Sequence, residues 1–271
     1  MSHVSSLSLK GLTTLITGPT SGIGRDLAEL FAQQGSNLIL VSRNLHRLDE
    51  LKKHVEKKYN INAWIFSKDL ARSGSAAELI SLIRNAGLRV DVLVNNAGYG
   101  VFGYFIQENV DDQVGMIELH IATPTRLSHA FLPGMIERRT GGILNIASTA
   151  AFQPIPTETV YAAVKSYLLN FTEGLREEVQ SNDVRITCFC PGPTQTEFFD
   201  QPTMKNRGPA RLTRMKSDQV AKEAYEAFLR GDVIGIPGVR NQLMVLASKL
   251  APRTLVRKAA RKVVESWKSN P

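Results

Sequence analysis

The sequence predicts an α/β fold built on a doubly wound parallel sheet of about seven strands with helices on both faces. Three observations carry that expectation. Seven short apolar or β-branched runs are spread along the 271 residues, each reading as a buried strand. Longer segments with helical periodicity separate them, so strand and helix alternate throughout. A glycine-rich turn follows the first run and opens directly into the first helical segment. With 43% hydrophobic content the chain can bury one sizeable core, and a single domain over 1–271 is expected.

The strand runs are 12–17 (LTTLIT), 37–42 (NLILVS), 61–66 (INAWIF), 90–95 (VDVLVN), 142–147 (GILNIA), 184–189 (VRITCF) and 233–236 (VIGI). Helical periodicity marks 23–34, 45–59, 76–86, 114–138, 161–180 and 218–230. In such a sheet the ligand lies at the carboxyl ends of the strands.

Composition narrows the class further. The first eleven residues, MSHVSSLSLKG, lack the basic-then-apolar pattern of an export signal, and no run of about 18 apolar residues suggests a membrane span. Cys188 and Cys190 lie two apart in a strand-like run, on one side and without disulfide geometry, which fits a reduced, cytoplasmic setting. The five histidines form no metal-ligand set with them, so no metal is expected. The net charge of +8 is concentrated at one end: residues 249–271 hold seven Lys/Arg against one Glu, leaving +2 for the rest. That balance argues against nucleic acid as the partner.

The turn TGPTSGIG, residues 17–24, supplies Gly18, Thr20, Ser21, Gly22, Ile23 and Gly24. Its glycines permit a tight turn and close backbone approach, leaving amides and a positive helix end for a pyrophosphate, the Rossmann-type arrangement for a dinucleotide. Where an NAD-binding chain carries an acid after its second strand, this one has Ser42, Arg43 and Asn44, and the next acid is Asp49. Losing the carboxylate removes repulsion toward a 2′-phosphate, and a guanidinium can grip that group, so NADP(H) is favoured over NAD(H). Arg43 as a plain surface cap of the strand is the competing account.

Tyr161 and Lys165, four apart, share one helix face, and Ser148 follows the fifth strand. Such a pair alone is commonplace. The order is not: glycine turn, Asn95-Asn96-Ala97-Gly98 after the fourth strand, Ser148 after the fifth, the Tyr161/Lys165 pair, then Pro191-Gly192 after the sixth. On these motifs, with Asp69-Leu70 and 191–196 (PGPTQT), the chain resembles the short-chain dehydrogenase/reductase family along essentially its whole length.

The resemblance implies that Asp69 and Leu70 border the adenine, Asn95 and Gly98 the adenosine side, and Pro191, Gly192, Thr194 and Thr196 the nicotinamide. It also implies that Lys165 binds the nicotinamide ribose. A free tyrosine ionises near pH 10, about three units too high for exchange at neutrality, so a cation beside Tyr161 should favour the phenolate, and Lys165 supplies one. Ser148 then orients a carbonyl or alcohol substrate while Tyr161 gives or takes the proton. The family's catalytic Asn position falls on His120, either as a pH-dependent member of the proton relay titrating at about pH 6 to 7 or as a packing replacement.

The branch most resembled includes reductases of 3-oxoacyl thioesters and of steroid-like ketones. Tyr99, Phe102, Tyr104, Phe105, Phe152, Phe198 and Phe199 suggest an apolar pocket, and 191–217 a lid, a mobile solvated loop being the alternative there. The family also implies a homodimer or homotetramer through 114–138 and 161–180. Two other functional classes stand beside the enzyme: a catalytically weak NADPH-binding regulator, and a membrane-surface protein acting through its tail. In that tail Leu255, Val256, Ala259, Val263 and Trp267 recur at helical spacing among basic residues, a pattern suited to peripheral membrane contact or to docking on the protein body.

Overall fold

The computed structural model describes residues 7–199 and 214–268, the side chains at 199 and 263–268 excepted. Strands β1 (Thr13–Thr17), β2 (Asn37–Ser42), β3 (Ala63–Ser67), β4 (Val92–Asn95), β5 (Gly142–Ile146), β6 (Arg185–Phe189) and β9 (Ile234–Gly235) form one sheet. The short β7 (Thr194–Gln195) and β8 (Met215–Lys216) pair separately. The main sheet runs β3-β2-β1-β4-β5-β6-β9, with its strands paired in parallel. The residues of β1, β4, β5 and β6 are buried throughout, because both faces are covered.

Neighbouring residues in those strands supply opposite faces. Ile16, Leu38, Leu40, Val92 and Val94 pack with α1 (Gly22–Gln33), α2 (Leu45–Tyr59) and α7 (Ser217–Arg230), where Phe31 meets Tyr225 edge to face at 5.2 Å. Leu15, Ile39, Val41, Leu93 and Ile143 pack with α3 (Ser75–Asn85) and with Leu127, Phe131 and Met135 of α5 (Thr123–Arg138). The strand order reverses between β2-β1 and β4-β5, and a deep cleft opens at the carboxyl ends on either side of that switch.

The helix expected over 114–138 is not continuous. It begins earlier as α4 (Val110–Ile117), passes through a π-helical turn at Glu118–Ala122, and resumes as α5. A π-turn inserts one residue into the helical register, and the side chain it reorients here is the buried His120. The helix carrying Tyr161 and Lys165 is α6 (Thr159–Glu178).

The tail also departs from expectation. Helix α8 (Val239–Leu250), missed in the sequence, precedes α9 (Arg253–Lys268); Ala251 is extended ahead of Pro252, whose ring disfavours a helical predecessor, and separates them. Of the expected lid, 200–213 lies outside the described residues, and its flanks are pinned by the β7–β8 pairing. Cys188 and Cys190 are free, buried and on one side, with sulfurs 3.7 Å apart.

Candidate active site

The cleft has a volume of about 1040 Å³. Its narrow end is backbone. Gly18, at φ +66°, turns the chain out of β1, and a Cβ at Gly24 would run into Gly18 O and Asn96 Nδ2. Asn96, not singled out in the sequence, locks this corner: its side chain donates to Thr17 O and Gly18 O at 3.0 and 2.9 Å. Ser21 sits at the N-cap of α1 without a side-chain capping bond, and no acid occupies the helix's first turn. The positive end of α1 therefore faces the cleft with no carboxylate against it, which fits a pyrophosphate.

Thr20, Ser21, Gly22, Ile23, Arg43, Asn44, Asp69, Leu70 and Gly98 line this end with Gly18 and Gly24. Asn44 caps α2 by accepting from Arg47 N at 3.0 Å. Asp69 holds its own turn, its Oδ1 accepting from Ala71 N at 3.1 Å. Two further cations line the same end, but Arg47 is held by Glu197 and Lys68 by Glu78, each at 2.8 Å. Among the described residues Arg43 has no carboxylate in ion-pairing range. Its guanidinium is the cation left to meet an added anion.

Asn95 is the exception among the predicted residues. Its side chain lies within the sheet, donating at 2.8 Å to Asn145 Oδ1, whose amide in turn donates to Thr172 on α6 at 2.9 Å. The chain of bonds fastens β4, β5 and α6, so Asn95 holds strands rather than lining the cleft. Asn-rich motifs at a strand end look alike whichever member faces in, and sequence offers no signal to separate them.

At the centre, Ser148 lies just past β5 and Tyr161 in the first turn of α6, with the Ser148 side chain near enough to act on the phenol's ionisation. Ala150 N donates to Ser148 Oγ at 3.1 Å, fixing its direction. Lys165 is buried beneath, donating to Ile146 O at 2.8 Å with its ammonium 5.8 Å from the Tyr161 ring centre. Burial pushes the lysine down to about 8 and raises the phenol, with Ser148 pulling the other way and Glu158 adding to the rise. The expected lowering of Tyr161 by Lys165 is thus not what these groups produce: desolvation dominates both. The phenol stays protonated across the physiological range.

His120 is fully enclosed. Its Nε2–H donates to Tyr99 O at 2.9 Å, its ring lies edge-on to Tyr161 with centres 6.1 Å apart, and it presses on Gly98. Burial first and Lys165 second hold its pKa well below the ordinary value.

Phe102 and Phe198 flank Tyr161 at 5.9 and 5.7 Å, forming an apolar mouth. Tyr104 and Phe105 are exposed and Phe152 sits under Lys249, so these expected pocket residues belong elsewhere; the Phe199 side chain lies outside the described set. Pro191, Gly192, Thr194 and Thr196 line the opposite side. The far wall, unread in the sequence, is α8 and α9: Asn241, Met244, Ala247, Leu255, Val256 and Ala259. Three residues of the expected tail stripe thereby line the cleft, while Val263 and Trp267 lie outside the described side chains.

A sequence model of the short chain dehydrogenases matches residues 12–206. The chain belongs to the short-chain dehydrogenase/reductase family. It is similar to human very-long-chain 3-oxoacyl-CoA reductase, 31% identical over 212 residues that make up 75% of this chain and 67% of that protein. Among solved structures, a Sphingobium yanoikuyae short-chain dehydrogenase in complex with NADPH matches at 30% identity and TM-score 0.79, covering 88% of this chain and 93% of that one. The bulky-bulky ketone specific alcohol dehydrogenase of Comamonas testosteroni matches at 28% identity and TM-score 0.74, with the same coverage. Family membership makes the chain an oxidoreductase for CH–OH and C=O groups that uses a nicotinamide dinucleotide.

Proposed function

We propose that the protein is an NADPH-dependent reductase of apolar carbonyl compounds, a hydrophobic ketone or a 3-oxoacyl thioester. The observation that carries this reading is the Ser148–Tyr161–Lys165 cluster within the cleft that the uncapped α1 terminus and Arg43 line at its other end. Arg43 and the amides of α1 would hold the phosphates, Lys165 and 191–196 the nicotinamide side. The bound cofactor supplies hydride. Ser148 orients the substrate oxygen and Tyr161, protonated as built, donates a proton to it. Phe102, Phe198 and the α8–α9 wall exclude water and favour an apolar substituent.

The test is NADPH oxidation against a panel of acyl thioesters, steroid ketones and small ketones, repeated with NADH. Turnover with NADPH on the bulky apolar members is expected, and Tyr161→Phe should lower it by about 10²- to 10⁴-fold with NADPH affinity kept. Comparable affinity for both nucleotides by calorimetry would overturn the cofactor assignment.

Assembly follows the same family reading. Helix α4 leaves Val110, Val114 and Ile117 exposed at i, i+4 and i+7, an apolar stripe suited to a second subunit. Light scattering should report a dimer or tetramer.

A further inference from the structure

Helix α8 is apolar on two opposite faces. One face turns Asn241, Met244 and Ser248 into the cleft and buries Val245. The other carries Val239, Leu243, Leu246 and Leu250, which are 70, 60, 53 and 78% exposed. At about 100° per residue these four fall within an arc of about 60°, with Arg240 and Lys249 about 90° to either side. Among the described side chains nothing covers this stripe.

The surrounding charge is one-sided. From 233 to 262 the sequence has no acidic residue, while Arg240, Lys249, Arg253, Arg257, Lys258, Arg261 and Lys262 are all exposed. Helix α9 extends the field beyond α8 with five of these cations.

We propose that the outer face of α8, with the basic side of α9, docks on an anionic lipid surface. The four aliphatic side chains enter the acyl boundary, while Arg240, Lys249 and the α9 cations reach the phosphates. A second copy on the same face is disfavoured by charge: a two-fold contact would set these cations against their own images with no acid of this segment between them. No helix among the described residues is long and apolar enough to span a bilayer, so the attachment is peripheral. The surface differs from the tail stripe read in the sequence, whose Val256 and Ala259 face the cleft instead. Since α8 also forms the cleft's far wall, a docked protein holds its apolar mouth beside the lipid.

The experiment is co-sedimentation of the full chain with phosphatidylcholine vesicles, with and without phosphatidylglycerol. Binding to the anionic vesicles should exceed binding to the neutral ones by about tenfold or more and weaken as salt rises. A Leu243→Glu/Leu246→Glu/Leu250→Glu variant should lose binding while keeping NADPH affinity and Tm. Should that variant misfold, Leu246→Trp replaces it, and its emission should shift to the blue only with anionic vesicles. Equal binding to both vesicle types, no binding, or binding retained by the folded triple variant would overturn the proposal. So would a self-association, vesicle-free, that the triple variant abolishes, since the face then belongs to a second copy.

Discussion

At the glycine-turn end of the cleft the walls are main chain: Gly18 turns at positive φ, Gly24 packs against Gly18 O, and Asn96 ties both strands to the turn. At the other end they are side chains on α8 and α9, where Val245 and Val256 are the buried anchors and most neighbours stay half open. The first end tolerates no added atom. The second has room to repack, so exchange of side chains there changes what fits without disturbing the sheet. A rigid site for an invariant ligand and an adaptable wall for a varied one follow from that contrast.

Substitution at the rigid end should break it outright. Gly24→Ala places a methyl against backbone that cannot retreat, and a loss of about 3 kcal/mol in stability is expected, together with loss of NADPH binding. Urea unfolding and calorimetry would read both. A variant with unchanged stability and affinity would show that the turn gives way.

Arg43→Asp should leave the fold intact and change only the cofactor. NADPH affinity should fall by about 10- to 100-fold through loss of a charge-assisted contact, with NADH affinity held or improved. Titration of both nucleotides decides it.

Lys165 sharpens the comparison at the centre. Its folded pKa of about 8 lies below the ordinary 10.5, so the fold disfavours its charge. The resulting penalty, about 3 kcal/mol, is complete below about pH 8 and fades as pH rises from there, both states being neutral only above 10.5. Lys165→Met should therefore raise Tm at pH 7 by a few degrees while abolishing turnover, and that gain should shrink in alkaline buffer. Scanning calorimetry at pH 7 and 10 reads this directly; a lower Tm for the variant at pH 7 would refute it.

The smallest effect belongs to the adaptable wall. Met244→Ala should raise KM for a long apolar ketone by about fivefold, with NADPH affinity unchanged, because a few methylenes of contact are lost at a partly open surface. An equal rise for a small ketone would place Met244 outside the specificity wall.

The sequence alone determined the strand-helix alternation, the glycine turn, the switch from acid to Arg43, and the Ser148–Tyr161–Lys165 set. These are local: backbone freedom, periodicity and spacing along one helix or turn decide them, and a chain carries such rules in its own order. Only the tertiary structure decided the rest. It turned Asn95 into the sheet and left the corner to Asn96, because Asn95 finds its partner only where β4 meets β5 and Asn96 only where β4 meets the end of β1. It enclosed His120 in a π-turn against Gly98, and with Lys165 nearby that burial keeps the ring neutral. It bent the tail at Pro252 so that α8 and α9 wall the cleft, turning Leu255, Val256 and Ala259 of the tail stripe towards it. Burial and charge at those positions are sums over neighbours distant in sequence, and no local pattern contains them.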